Sequence, residues 1–194
     1  MSQSRSELLH CLARDAYMYR PDDPFVLASG RTSAEYLDCR RVLSHPQALV
    51  LTGTLVYQAL LPEVSAVGGL TMGADPVAMA ASYASADQAR AISWFRIRKE
   101  RKEHGRGRLL EGDVSPGSRI ALVDDVVTSG QSTLQAYKAC IDEGLQVAQV
   151  ILLVDREEKG MQAIAKGIGS DVPLCALFHK SEIHQAWQQQ QASV

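Results

Sequence analysis

The sequence predicts an α/β fold built on a parallel central sheet. Three observations carry that expectation. Short apolar runs alternate with helical patterns along the chain. The best of these runs, Ile120–Val123 and Val147–Val154, are apolar throughout or nearly so, as strands covered on both faces must be. A chain of 194 residues, 46% hydrophobic and 22% charged, suits one domain around one core, and it shows neither an internal repeat nor a second domain.

Element by element, Leu8, Leu9, Leu12 and Ala16 share one face of a helix over about 6–19, with Pro21 beyond its end. Phe25–Leu27 and Tyr36–Arg40 read as short strands around a Ser29-Gly30 turn. Ser44 and Pro46 announce a helix over about 47–60, closed by Pro62. Val64–Leu70 is a short apolar strand, broken by Thr71-Met72-Gly73-Ala74-Asp75-Pro76 before an alanine-rich helix. Ala91–Ile97 is a strand. Residues 98–117 are polar, charged and glycine-rich, hence a long mobile loop. After the strand Ile120–Val123, a helix over Gln131–Asp142 stops at Gly144. The strand Val147–Val154, a helical patch around Ile164–Lys166, a strand over Val172–Phe178 and a fraying C-terminal helix complete the pattern.

Composition excludes several classes. No apolar run is long enough to span a membrane, and the N-terminus lacks the apolar stretch of a signal peptide. Cys11, Cys39, Cys140 and Cys175 are too far apart for a metal knuckle or redox pair, so reduced, buried thiols in a cytoplasmic protein are expected. Net charge is −2, yet residues 96–108 hold seven Lys or Arg against two Glu. One basic segment on an acidic chain points to a local anion site rather than to a nucleic-acid surface.

The segment Ile120–Thr133, I-A-L-V-D-D-V-V-T-S-G-Q-S-T, is a strand, a turn and a helix start. Ligands of an open parallel sheet sit beyond the carboxyl ends of its strands, where Asp124 and Asp125 fall. Thr128, Ser129, Gly130, Ser132 and Thr133 are small or hydroxylated, so backbone N–H groups can close around an anion at a helix N-terminus. Adjacent carboxylates repel a phosphate but suit ribose hydroxyls or the water shell of Mg²⁺. A capped βα turn would need one such residue, not this many. The string has neither the Gly-Lys-Ser/Thr of a Walker A loop nor a G-x-G-x-x-G fingerprint.

V-D-D-V-V-T-S-G resembles the phosphoribosyl diphosphate signature of type I phosphoribosyltransferases. Arg98-Lys99-Glu100-Arg101-Lys102-Glu103-His104-Gly105 resembles the catalytic loop of the orotate phosphoribosyltransferases among them. Residues 25–38 are similar to their N-terminal hood, and Val154-Asp155-Arg156-Glu157-Glu158 to the strand end that offers orotate an arginine. The resemblance spans about residues 6 to 183. It implies a single domain over 1–194: a parallel sheet flanked by helices, a small hood from about 1–40 plus the C-terminal segment, and a flexible catalytic loop over about 98–117.

The implied reaction joins orotate to 5-phosphoribosyl 1-diphosphate, with Lys102, Asp124 and Asp125 catalytic. Arg98, Lys99, Lys102, His104, Asp124, Asp125, Val126, Val127, Thr128, Ser129, Gly130, Gln131 and Ser132 would bind phosphoribosyl diphosphate. Thr128 and Arg156 would bind orotate. Mg²⁺ would be held mainly by substrate and water, with no direct protein ligand. A homodimer sharing loop residues across subunits is implied, with no nucleic-acid or membrane partner. Two departures stand out: Ala28 in the hood and Asp75 in the diphosphate loop, where many family members have lysine. A phosphoribosyl-diphosphate-binding regulator and a purine phosphoribosyltransferase are the alternatives. The basic loop speaks against the first and Arg156 against the second.

Overall fold

The computed structural model describes residues 2–26, 30, 32–100 and 109–192. In chain order its elements are α1 (Gln3–Cys11), β1 (Tyr17–Tyr19), β2 (Phe25–Val26), β3 (Thr32–Ser33), β4 (Glu35–Leu37), α2 (Cys39–Leu43), α3 (Pro46–Ala59), β5 (Ala66–Leu70) and α4 (Ala74–Ala84). There follow β6 (Ser93–Ile97), β7 (Leu110–Gly112), β8 (Arg119–Val127), α5 (Gln131–Asp142), β9 (Gln146–Asp155), α6 (Gly160–Ile168), β10 (Leu174–His179) and α7 (Lys180–Gln191). No helix among the described residues is long and apolar enough to cross a membrane.

Six strands form one sheet in the order β10-β9-β8-β5-β6-β7, and all its pairings are parallel except β6 with β7. Side-chain alternation divides the central strands between two cores. Val67, Ala121, Val123, Ile151 and Leu153 face α1, α3, α4 and α7; Ala66, Ile120, Leu122, Val150 and Leu152 face α5 and α6. Burial on both faces explains why these strands read as unbroken apolar runs.

The chain leaves β5 toward β6 on one side and continues from β8 toward β9 and β10 on the other. The topological switch therefore lies between β5 and β8. Their pairing ends at Gly68 and Leu122, so the two strands part before their carboxyl ends and open a crevice.

Several expected boundaries move. The predicted 6–19 helix is α1 followed by a π-helical turn, Leu12–Ala16, and the chain is already a strand at Tyr17. Residues 39–40, expected as the end of a strand, instead open helix α2. Asp38 caps it by accepting from the Arg40 N–H, and that local bond overrides the strand reading. The far flank of the long loop contains β7, an edge strand too short and polar to betray itself by period. The strand β8 continues past Val123 to Val127, because Val126 and Val127 pair with Val154 and Asp155 of β9. Asp124 and Asp125 are thus strand residues, more rigidly held than a loop would hold them.

The N-terminal strands lie apart from the main sheet, as the antiparallel pairs β1–β4 and β2–β3. The short strand β4 reaches both ways. Leu37 is buried in the core, while Glu35 bonds to Tyr17 and to Lys180 of α7. Tyr17 also shares a 2.7 Å hydrogen bond with His184 of α7.

Candidate functional site

A cavity of about 370 Å³ opens at the switch point. Its floor is Asp124 and Asp125. Leu70 to Gly73, at the end of β5, and Tyr36 to Arg40 form its walls. Lys99, Val126, Ser132 and Arg156 complete the lining.

The two aspartates are almost wholly buried, with relative exposures of 5% and 8%. Asp124 accepts from Ser132 Oγ at 2.8 Å and from the Asp125 N–H at 3.1 Å; Asp125 accepts from the Val126 N–H at 2.8 Å. Burial, followed by the neighbouring Asp125 charge, pushes the Asp124 carboxyl up to about 7. Burial also raises Asp125, opposed by the Val126 N–H and by the charge of Arg40. Two acids strained in this way are poised to receive hydroxyl donors or a cation. Gly73 lies directly against them: a Cβ there would stand 2.5 Å from Asp125 Oδ1. The absence of a side chain at 73 is what lets this wall close on the carboxylates.

Beyond β8 the chain turns through Thr128 and Ser129 to Gly130, at φ +79°, and enters α5 at Gln131 with no side-chain cap on its N-terminus. Uncapped first-turn N–H groups on a helix of this length form an anion-binding end. Gly130 and Gly160 pack so closely that a Cβ on Gly130 would approach the Gly160 carbonyl to 2.8 Å. The start of α6 therefore backs the turn.

Of the residues expected from sequence, Lys99, Asp124, Asp125, Val126, Ser132 and Arg156 meet at the cavity. Thr128, Ser129, Gly130 and Gln131 form the adjoining turn. The Val127 side chain is buried in the core, and its carbonyl accepts from the Arg156 N–H at 3.1 Å. Arg98 lies away from the cavity, bonded to Glu111 of β7 at 3.1 Å across the antiparallel pair. Lys102, His104 and Ala28 lie outside the described residues.

Arg156 is 8% exposed. Its Nη2 pairs with Glu158 at 2.9 Å and its buried Nε has no partner among the described residues. A plain surface ion pair would leave no buried donor waiting.

Asp75 points elsewhere. Its Oδ2 accepts from Thr71 Oγ1 at 2.8 Å and lies 3.8 Å from Arg96 Nε, so it braces the turn after β5.

Sequence reasoning passed over Cys39 and Arg40 as site residues, and it took Gly73 only as backbone that, with Ala74, could cradle a diphosphate, not as a neighbour of Asp125. Cys39 is fully buried beside the cavity, and burial, then the Asp125 charge, hold its thiol well above the ordinary range. A helix cap at Asp38 followed by Arg-Arg was the available signal for α2 and for Arg40. Nothing local marks the close approach of Gly73 to Asp125.

The chain matches no protein-family model. It is 39% identical over 181 residues to an orotate phosphoribosyltransferase of Aquifex aeolicus, covering 92% of this chain and 97% of that one. Among solved structures it resembles Mycobacterium tuberculosis H37Rv orotate phosphoribosyltransferase in complex with Fe(III) dicitrate: TM-score 0.80, 35% identity, covering 93% of this chain and 98% of that one. The same enzyme in complex with 5-phospho-alpha-D-ribosyl 1-diphosphate gives a TM-score of 0.75 at 33% identity, again covering 93% and 98%.

Proposed function

The chain belongs to the orotate phosphoribosyltransferase family, and from that premise we propose that it transfers the phosphoribosyl group of 5-phosphoribosyl 1-diphosphate to orotate. The products are orotidine 5'-monophosphate and diphosphate. The observation that carries this reading is the buried Asp124–Asp125 pair beside an uncapped helix N-terminus, with the unsatisfied Arg156 donor on the same cavity.

A ring nitrogen of orotate forms a bond to C1 of the ribose, and the C1–oxygen bond to diphosphate breaks, its electron pair leaving with the diphosphate. Asp124 and Asp125 accept hydrogen bonds from the ribose hydroxyls and steady the positive charge that builds on the sugar. The Thr128–Ser132 turn takes the 5'-phosphate on its N–H groups. Arg156, with Thr128 nearby, takes orotate, whose carboxylate matches the guanidinium fork. Lys99, together with Lys102 and His104 of the loop at about 98–117, neutralises the leaving diphosphate and keeps water out, and Arg98 joins them only by giving up Glu111. The N-terminal segment to about residue 40, with α7, acts as a hood over the base within a single domain.

Mg²⁺ fits this donor set. Two buried oxygen acids, both raised by burial and Asp124 further by the Asp125 charge, suit a hard cation. Asp124 and Asp125 would hold the ion through its waters and the substrate hydroxyls, and the ion supplies positive charge to the diphosphate.

We also read the protein as a cytoplasmic homodimer whose loop residues serve the neighbouring site. Exposed Val50, Met79 and Tyr83 along α3 and α4 support it, since they border one apolar groove suited to a second copy. Mixing Lys102→Ala with Asp125→Asn chains, each inactive alone, is expected to restore part of the activity once subunits exchange. No recovery after verified exchange would argue for unshared sites.

The main test is a panel of orotate, uracil, adenine and hypoxanthine with phosphoribosyl diphosphate and Mg²⁺, reading diphosphate release. Release is expected with orotate alone, and release only with a purine would overturn the assignment.

A further inference from the structure

The geometry points to Arg40 as a further substrate-binding residue, one whose guanidinium takes an anionic oxygen group of phosphoribosyl diphosphate from the hood side of the cavity. The inference rests on reading the cavity as a phosphoribosyltransferase site.

Arg40 is the second residue of α2 and lines the cavity together with Met72 and Gly73. Asp38 clamps it side-on. Oδ1 accepts from the Arg40 backbone N–H at 3.2 Å and from Nε at 2.9 Å, and Oδ2 accepts from Nη2 at 3.3 Å. The clamp fixes the plane of the guanidinium and leaves Nη1 without a hydrogen bond among the described residues. Its neighbour Arg41 turns away, its Nη1 reaching Met18 Sδ at 3.8 Å, so of the two only Arg40 lines the cavity.

Charge balance gives Arg40 its task. The described cavity residues include three carboxylates (Asp38, Asp124, Asp125) and three cations (Arg40, Lys99, Arg156). Phosphoribosyl diphosphate adds several negative charges. The turn after β5 has no cation to meet them, because Gly73 lacks a side chain and Asp75 is spent on Thr71 and Arg96. Arg156 is buried, its Nη2 pairs with Glu158, and its unpartnered Nε is the donor read as orotate's. Arg40 is the exposed, preorganised guanidinium whose Nη1 is unpaired among the described residues, and its field reaches the floor, where it opposes the upward shift of Asp125. A guanidinium held in plane suits phosphate oxygens better than a flexible ammonium does.

The experiment uses the intact protein. Arg40→Ala, Arg40→Lys and Arg41→Ala are compared by steady-state kinetics with each substrate varied in turn, and by direct titration of phosphoribosyl diphosphate without the base. Arg40 is exposed, so Arg40→Ala is expected to melt with wild type. Its KM and Kd for phosphoribosyl diphosphate should rise roughly ten- to a hundredfold, as loss of a charged hydrogen bond implies, while KM for orotate moves less than about twofold. Arg40→Lys should recover part of the loss, and Arg41→Ala should match wild type. An unchanged Kd in Arg40→Ala, a rise confined to KM for orotate, or an equal loss in Arg41→Ala would overturn the proposal. If wild type binds phosphoribosyl diphosphate but does not use orotate, the functional reading fails, and the titration still decides the role of Arg40.

Discussion

The two sides of the cavity are built in opposite ways. The floor and phosphate turn come from one stretch, Asp124 to Ser132, the end of a central strand running into a helix. The hood side is assembled from segments far apart in the chain. Its strand β4 is tied through Glu35 to Tyr17 of β1 and to Lys180 of α7, at 2.6 Å each. Tyr17 and Tyr19 pack against His184 and Trp187, with ring centroids 5.5 to 5.8 Å apart. Backbone pairing with β9 along one edge of β8, and burial of the strand, hold the first side, whereas side-chain polar bonds and ring contacts hold the second. Damage to the floor should therefore appear as lost chemistry in a folded protein, and damage to the hood as lost stability and weakened binding.

The largest expected effect is in the chemistry. Lys102→Ala should lower turnover by about 10²–10³ with an unchanged melting temperature, because it removes the cation proposed to meet the leaving group. Asp125→Asn should be at least comparable. Turnover at the wild-type level in Lys102→Ala would remove that residue from the mechanism. Gly73→Ala comes next. Its Cβ would meet Asp125 Oδ1 at 2.5 Å, and displacing that carboxylate should cost turnover by up to about a hundredfold. A fully active Gly73→Ala protein would mean the carboxylate can move freely, contrary to a rigid floor.

On the hood side, Glu35→Gln should destabilise the fold by about 1–3 kcal/mol, read by denaturant titration, since Lys180 and Tyr17 lose an anionic acceptor. Burial alone would raise the Glu35 carboxyl, but hydrogen bonds from Lys180 and Tyr17 outweigh it and hold it below its ordinary value. Its contribution is thus present above about pH 4.3 and is lost as pH falls through the depressed folded value. Asp124 has the opposite sign. Its folded value is raised to about 7, so the ligand-free fold loses stability as pH climbs from about 4 to 7. Asp124→Asn should remove that slope, giving a melting temperature closer to wild type at pH 5 and higher than wild type at pH 8. A parallel pH dependence in both proteins would mean that another group sets the slope.

The floor was legible because its information is local. Asp124, Asp125 and the small hydroxyl residues after them are adjacent in the chain, and an apolar run ending in acids at a sheet edge has few other uses. The basic string around Lys99 was legible as charge, but not where each cation goes: Arg98 turns to Glu111, a partner on a strand that the sequence did not reveal. Asp75 was legible as a missing lysine, and only packing shows that it faces Thr71 and Arg96.

The sequence by itself determined the α/β class, the strand that carries the two acids and the turn that follows it, because hydrophobic period and turn chemistry act between near neighbours. Tertiary structure alone decided which residues oppose that strand across the cavity: Gly73 against Asp125, Arg40 clamped by Asp38, and a hood held by Glu35 and α7. Those contacts depend on where β5 and β8 part and on how α7 returns to the N-terminal strands. That is long-range packing, which leaves no periodic trace in any one segment.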